Sequence, residues 1–263
     1  GAVYANMLEH IALTDPVNQR GKTSYTAEAA AYAIDRWAIL YGTFDVSARQ
    51  LTGTTYTGRT CCIRQALSEA EKGLAVGSMI AFSAQINGQI HKSGMTVQDR
   101  SQYGEFSEVP AGYICKDFEV VCYSIYGTVY LSIYAKKALV LDWMKVEKGS
   151  VVTPYVPNGY GAELLECMRY FYSTVGVWTR IVTQAQYNGA LQLMGFFPVP
   201  MRTVPTITFD GTYQKNVSGA TSNPFSNIGF NELTPIGYSG YIATGEASVN
   251  FLLKYNYTAS ADL

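Results

Sequence analysis

Tyr126-Gly-Thr-Val-Tyr-Leu-Ser-Ile-Tyr134 decides the fold class. Side chains along a strand alternate between faces. Val129, Leu131 and Ile133 therefore share one side, and Tyr126, Thr128, Tyr130, Ser132 and Tyr134 share the other. The aliphatic side belongs in a core and the row of tyrosines and hydroxyls outside it. Such a row suits carbohydrate, because aromatic rings stack on the C–H face of a sugar and hydroxyls meet hydroxyls. Packing of these tyrosines against a neighbouring loop, domain or protomer is the reading the pattern favours, since tyrosine is common in ordinary strands, with the glycan use kept beside it.

Working outward, Tyr56 to Leu67, Gly77 to Ile86, Lys116 to Tyr126 and Leu139 to Val146 are further short, β-branched or aromatic runs bounded by Gly or polar clusters. The same texture returns in Val177 to Thr183, Leu191 to Phe196, Thr206 to Phe209, Asn227 to Phe230, Gly237 to Ile242 and Ala247 to Tyr257. This spacing predicts an all-β chain of antiparallel sandwiches rather than βαβ units. Helix is expected only over Ala27 to Ala33, at Ser68 to Lys72, and over Glu163 to Tyr172, where Leu164, Leu165, Met168 and Tyr172 fall on one helical face. Gly211 to Asn227 and Asn87 to Gly94 read as loops, with His91 exposed in the latter. Pro154 and Pro157 each remove an amide donor and hold the backbone extended, which marks a domain boundary. The expected division is a β-sandwich over 1–149, a Pro-rich linker with a short helix over 150–172, and a smaller β-sandwich over 173–263.

Composition narrows the function. The 263 residues can bury a core without disulfides. Charged residues make up only 15% and the net charge is −1, so nothing draws the chain to nucleic acid or to an acidic membrane. No apolar run is long enough to span a bilayer, and Gly1-Ala-Val-Tyr lacks the basic and apolar regions of a signal peptide. A soluble chain without membrane insertion is expected. The 21 tyrosines favour recognition by stacking and hydroxyl bonding over long-range electrostatics. Five cysteines without a C-x-x-C spacing argue for reduced thiols rather than a disulfide frame or a zinc site.

Among individual residues, Trp37 reads as a core anchor beside Asp35 and Arg36, and Trp143 as an interior residue. Trp178 and Tyr187, the latter next to the Asn188-Gly189 turn, are candidate ligand-lining aromatics in the second domain. The candidate glycan-binding set is thus Tyr126, Tyr130, Tyr134, Trp178 and Tyr187. His10 and His91 lie near no nucleophile signature, so a hydrolase triad is not expected. Asp99, Glu105, Glu108, Asp117 and Glu119 lie between strands, where carboxylates are usually solvated; a glycosidase would need two of them brought together in space. No cofactor is expected. Asp15 and Asp142 are the acids that could join a structural calcium site.

Four blocks carry a resemblance: Asp15-Pro-Val-Asn-Gln-Arg-Gly21, Tyr32-Ala-Ile-Asp-Arg-Trp37, the junction from Lys145-Val-Glu-Lys-Gly149 to Cys167-Met-Arg-Tyr-Phe-Tyr172, and Phe197-Pro-Val-Pro-Met-Arg-Thr-Val-Pro205. In this order they resemble the distal part of bacteriophage and prophage tail-fibre proteins. The chain departs from that pattern at Asp15, Asn158 and Met168. The resemblance implies a jelly roll similar to carbohydrate-binding modules over about Asn6 to Gly149, followed by a smaller distal β domain. It also implies a homotrimer at a virion tail tip, assembled in the bacterial cytoplasm, attached to an upstream tail-fibre or baseplate protein, and recognising a host-surface glycan without catalysis. The motifs do not fix ligand-contacting loops, so no binding residue carries over from them. Other classes remain open: a structural tail or baseplate component, a capsule depolymerase, and a carbohydrate-binding module of a secreted glycosidase.

Overall fold

The computed structural model describes residues 6–27, 29–53, 61–103 and 109–263. The start of the expected Tyr56–Leu67 strand, Glu28, Glu105 and Glu108 lie outside the described residues. The chain forms two compact units, residues 1–167 with Leu263, and residues 168–262. The break falls inside the stretch expected to be a linker.

In chain order the first unit contains β1 (Ser24–Ala27), β2 (Ala31–Tyr32), β3 (Trp37–Asp45), β4 (Gln50–Thr52), β5 (Cys61–Ser68), α1 (Glu69–Lys72), β6 (Met79–Ile86), β7 (Gln89–Thr96) and β8 (Gln98–Asp99). It continues with β9 (Tyr113–Ile114), β10 (Phe118–Ile125), β11 (Thr128–Ala135), β12 (Leu139–Lys148) and α2 (Tyr160–Met168). Hydrogen bonding follows the order β7-β6-β12-β4-β3-β5-β11-β10-β8. The sheet doubles over, so that the His91 ring of β7 lies 4.8 Å from that of Phe118 on β10. The result is the expected jelly-roll sandwich around one apolar core. β11 shows the cause: Val129, Leu131 and Ile133 are buried there beside Val120 and Cys122 of β10 and Ile63 and Leu67 of β5.

Gly42 sits in β3 at φ +96°, where a Cβ would stand 2.2 Å from Cys61 Cβ, so no larger residue fits. The β6–β7 and β10–β11 hairpins close through Asn87-Gly88 and Tyr126-Gly127, all four at positive φ, as two-residue type I′ turns require.

Several expectations are corrected. The described residues of Ala27 to Ala33 are not helical: β1 and β2 pair antiparallel with β3 and so outweigh the helix preference of the alanines. Asn87 to Gly94 is not a loop but a turn followed by β7, and His91 is half-buried, its Nδ1 2.9 Å from the Tyr113 hydroxyl. Trp143 is half-buried, because a register shift between Leu141 and Trp143 turns its ring onto Tyr155, stacked at 4.3 Å. α2 ends at Met168, and its buried residues are Glu163 and Cys167, with Leu165 exposed. Glu163 Oε1 accepts from the N–H groups of Ile11 and Ala12, both at 3.0 Å, which holds the helix to the first unit. Residues after Gly149 are held there too: Lys145 Nζ donates to Thr153 Oγ1 at 2.6 Å and to Pro154 O at 3.0 Å.

The second unit contains β13 (Phe171–Ser173), β14 (Thr179–Gln184), β15 (Ala190–Phe196), β16 (Thr206–Lys215), β17 (Asn223–Pro224), β18 (Ile228–Thr234), β19 (Gly237–Ala243) and β20 (Asn250–Ser260). One sheet runs β13-β20-β16-β17 with β14 also on β20; the other runs β15-β19-β18. Leu191, Leu193, Tyr238 and Ile242 of the second sheet meet Leu253, Tyr255 and Tyr257 of the first in a core rich in aromatic rings. Tyr238 stands 5.3 Å from Tyr257 and 5.6 Å from Phe209. The expected loop from Gly211 is shorter than anticipated, because β16 pairs with β20 as far as Lys215↔Phe251.

Candidate functional site

Residues of the first, second and final resemblance blocks build structure. His10 is fully buried, with Nδ1 2.6 Å from Asp35 O and Nε2 accepting from Val17 N–H at 2.9 Å. Asp35 in turn accepts from the Gln19 backbone and side chain at 2.7 and 2.6 Å, and Trp37 Nε1 donates to His10 O at 2.9 Å. The first two blocks therefore meet around one imidazole, and Trp37 is the core anchor expected of it. Burial holds the His10 pKa down, from 6.5 to about 4. In the final block, Phe197 and Met201 enter the second unit's core, and Arg202 Nε donates to Ala261 O at 3.2 Å.

The tyrosine row of β11 divides. Tyr130 and Tyr134 are half-buried and pack with Val109, Val121 and Tyr123 in a small cluster under Tyr103 and Ala111. The Tyr130 ring lies 5.3 Å from Tyr123 and carries the Arg64 guanidinium 4.3 Å from its centroid. Tyr126 lies outside the row, at the tip of the β10–β11 turn, 99% exposed and at φ +50°. Positive φ is uncommon for an aromatic residue, and an exposed ring held there is a candidate contact on its own.

In the second unit Trp178 and Tyr187 flank opposite ends of β14, whose six residues span about 20 Å. They therefore belong to two different surfaces. Tyr187 is 87% exposed. Its turn is fastened to the 244–246 loop by Thr244 Oγ1 donating to Gly189 O at 2.7 Å. That loop borders a cleft of about 480 Å³ lined by Tyr213, Lys215, Thr221, Asn223, Thr244 and Glu246, with a 2.7 Å ion pair between Lys215 and Glu246.

The Trp178 surface is the outer face of the β14-β20-β16 sheet. Strand register places Arg180, Lys254 and Thr212 in one row across it, and Val182, Leu252 and Gln214 in the next. Trp178, at the entry to β14, is 42% exposed and carries Lys254 Nζ 4.4 Å from its ring centroid. Arg180, Lys254, Thr212, Gln214, Leu252 and Ser222 line a groove of about 330 Å³. A partly open indole that meets the cationic side of a groove with hydroxyl and amide donors can stack a sugar ring while the groove bonds its substituents. The sequence displays Trp178 and Arg180 two apart on a strand and hence on one side. It gives no signal that β20 brings Lys254 between them and Thr212.

Of the carboxylates expected between strands, the described ones are each engaged with other partners. Asp117 pairs with Lys137 at 3.1 Å and Glu119 with Lys136 at 3.7 Å, while Asp99 Oδ1 accepts from Ser101 N–H. Hydrogen bonds hold Asp99 and Asp117 below the usual carboxylate range, opposite to what a general acid needs. Asp142 is ion-paired with Arg49 at 3.0 Å. Among the described residues no cluster of three or more His, Cys, Asp or Glu could hold a metal, and no helix is long and apolar enough to cross a membrane. Cys115, Cys122 and Cys167 are free thiols, and burial raises the Cys122 pKa to about 12.

No known protein family matches the chain, and no curated protein matches it. Among solved structures it is similar to recombinant discoidin II of Dictyostelium discoideum, at 11% identity over 80% of each chain with a TM-score of 0.24. Wild-type discoidin II from the same organism gives 10% identity over 81% of each chain and the same TM-score. A likeness at this level carries no argument about a ligand. The all-β class rests on the strands described above.

Proposed function

We propose that this chain is the receptor-binding end of a phage or phage-derived tail fibre, recognising a bacterial surface glycan through its second unit. The observation that carries the reading is the groove on the β14-β20-β16 face, lined by Arg180, Lys254, Thr212, Gln214 and Ser222, with the partly exposed Trp178 indole meeting its Lys254. A site on paired strands keeps its geometry without an ordering cost at binding. The order of the four sequence blocks supports the tail-fibre assignment. Trimeric assembly, joined upstream to a tail-fibre or baseplate protein at the virion tip, would present three weak sugar sites together and gain avidity. An outer surface of the second unit with Met194 at 68%, Phe196 at 71% and Ile236 at 58% exposure suits contact between protomers. The packed state of Tyr130 and Tyr134 favours a structural role for that part of the first unit.

The test is an array of bacterial surface polysaccharides probed with labelled protein and with Trp178→Ala. Selective binding lost in the variant is expected. Binding of equal strength in both proteins would refute the assignment of the site, and binding to no polysaccharide would refute the glycan reading.

A further inference from the structure

We infer that the saccharide taken by the Trp178 groove carries an anionic group, a carboxylate or a phosphate, seated between Arg180 and Lys254. The inference rests on the glycan reading above and names its ligand class. Arg180 and Lys254 are direct cross-strand partners on β14 and β20, and both line the groove. Like charges directly opposite on a sheet face work against folding, so such a pair is retained for something other than stability. On this face β14, β20 and β16 offer one acid, Asp210. It stands opposite Asn256, one row away from Lys254, and among the described residues it makes no ion pair with either cation. The Lys254 ammonium meets the Trp178 ring instead.

The two cations are held close by backbone register rather than by a partner carboxylate. An anion placed between them would turn their repulsion into two charge-assisted hydrogen bonds, one with the flat guanidinium fork that matches a carboxylate or phosphate. Thr212, completing the row beyond Lys254, and Gln214 and Ser222 beside it supply neutral donors for sugar hydroxyls. Trp178 supplies the stacking surface at the groove's edge. The groove thus combines a ring platform, a hydroxyl-bonding flank and a two-cation seat, which together fit an acidic monosaccharide unit better than a neutral one.

The experiment is calorimetric titration of the full chain with three probes: polysialic acid oligomers, hyaluronan oligosaccharides and neutral dextran oligosaccharides. Wild type is compared with Arg180→Gln/Lys254→Gln and with Trp178→Ala. Binding of an acidic probe is expected, weakened about tenfold or more in the double Gln variant and by raising salt from about 0.05 to about 0.5 M. The double Gln variant loses both the repulsion and the Lys254–Trp178 contact, two small opposing effects, so its Tm should stay close to that of wild type, and a matching Tm shows that weaker binding is not due to unfolding. Dextran bound as tightly as the acidic probes, with loss only in Trp178→Ala, overturns the anionic seat and leaves the glycan reading standing. Acidic binding unchanged in the double Gln variant also overturns it. Binding of none of the three probes overturns the inference, and the polysaccharide array then decides the glycan reading separately.

Discussion

Acidification should weaken the first unit through His10 before its exposed carboxylates titrate. Neutral His10 is satisfied on both sides, Nδ1–H donating to Asp35 O and Nε2 accepting from Val17 N–H. A second proton could go only onto Nε2, which would set N–H against N–H inside the core. Burial accordingly lowers the pKa from 6.5 to about 4. The sign follows from proton uptake. Below about 6.5 the unfolded chain binds a proton that the folded chain refuses, so stability is complete above that pH and falls as pH drops toward 4. The shift corresponds to about 3 kcal/mol. Glu163 works in the opposite direction, since burial raises its pKa and the folded state gains as that carboxyl protonates. Asp45, Asp99 and Asp117, held low, lose stability only at lower pH. Comparison with His10→Asn isolates the imidazole. Urea unfolding of both proteins in a Trp143→Phe/Trp178→Phe background, followed by the fluorescence of Trp37 beside His10, should show the chain with His10 ahead at neutral pH and its lead shrinking by about 3 kcal/mol by pH 4. A difference independent of pH would refute the buried neutral imidazole.

Glu163→Ala leaves the N–H groups of Ile11 and Ala12 without their acceptor and should cost about 2–4 kcal/mol in urea unfolding, whereas Glu163→Gln, which keeps an acceptor oxygen, should cost about 1. Tyr130→Ala removes the Tyr123 and Arg64 contacts and should lower stability by about 2 kcal/mol without changing saccharide binding. Tyr126→Asn places a residue suited to positive φ in the turn and should raise Tm, a gain of up to about 1 kcal/mol.

The sandwich architecture was legible because most strands bury one face, and alternation such as Val129-Leu131-Ile133 survives into the core unchanged. Legibility failed where one interaction overrode the period. β7 is an edge strand, polar enough to pass for a loop, although Asn87-Gly88 is itself a hairpin signal. α2 turns a carboxylate inward because backbone donors from residues 11 and 12 await it, which no apolar periodicity encodes. Trp143 leaves the interior through a one-residue register shift. For the candidate site the individual aromatics were visible but their grouping was not. Tyr126 drops out of its row because it occupies a turn, and Arg180 meets Lys254 only through pairing of strands far apart in sequence.

The most direct test of the account is hydrogen exchange across the whole chain, with and without a saccharide that binds. Protection is expected in peptides spanning 178–182, 212–214 and 252–254, with those spanning 126–134 unchanged. Protection confined to 126–134 would contradict the assignment of recognition to the second unit.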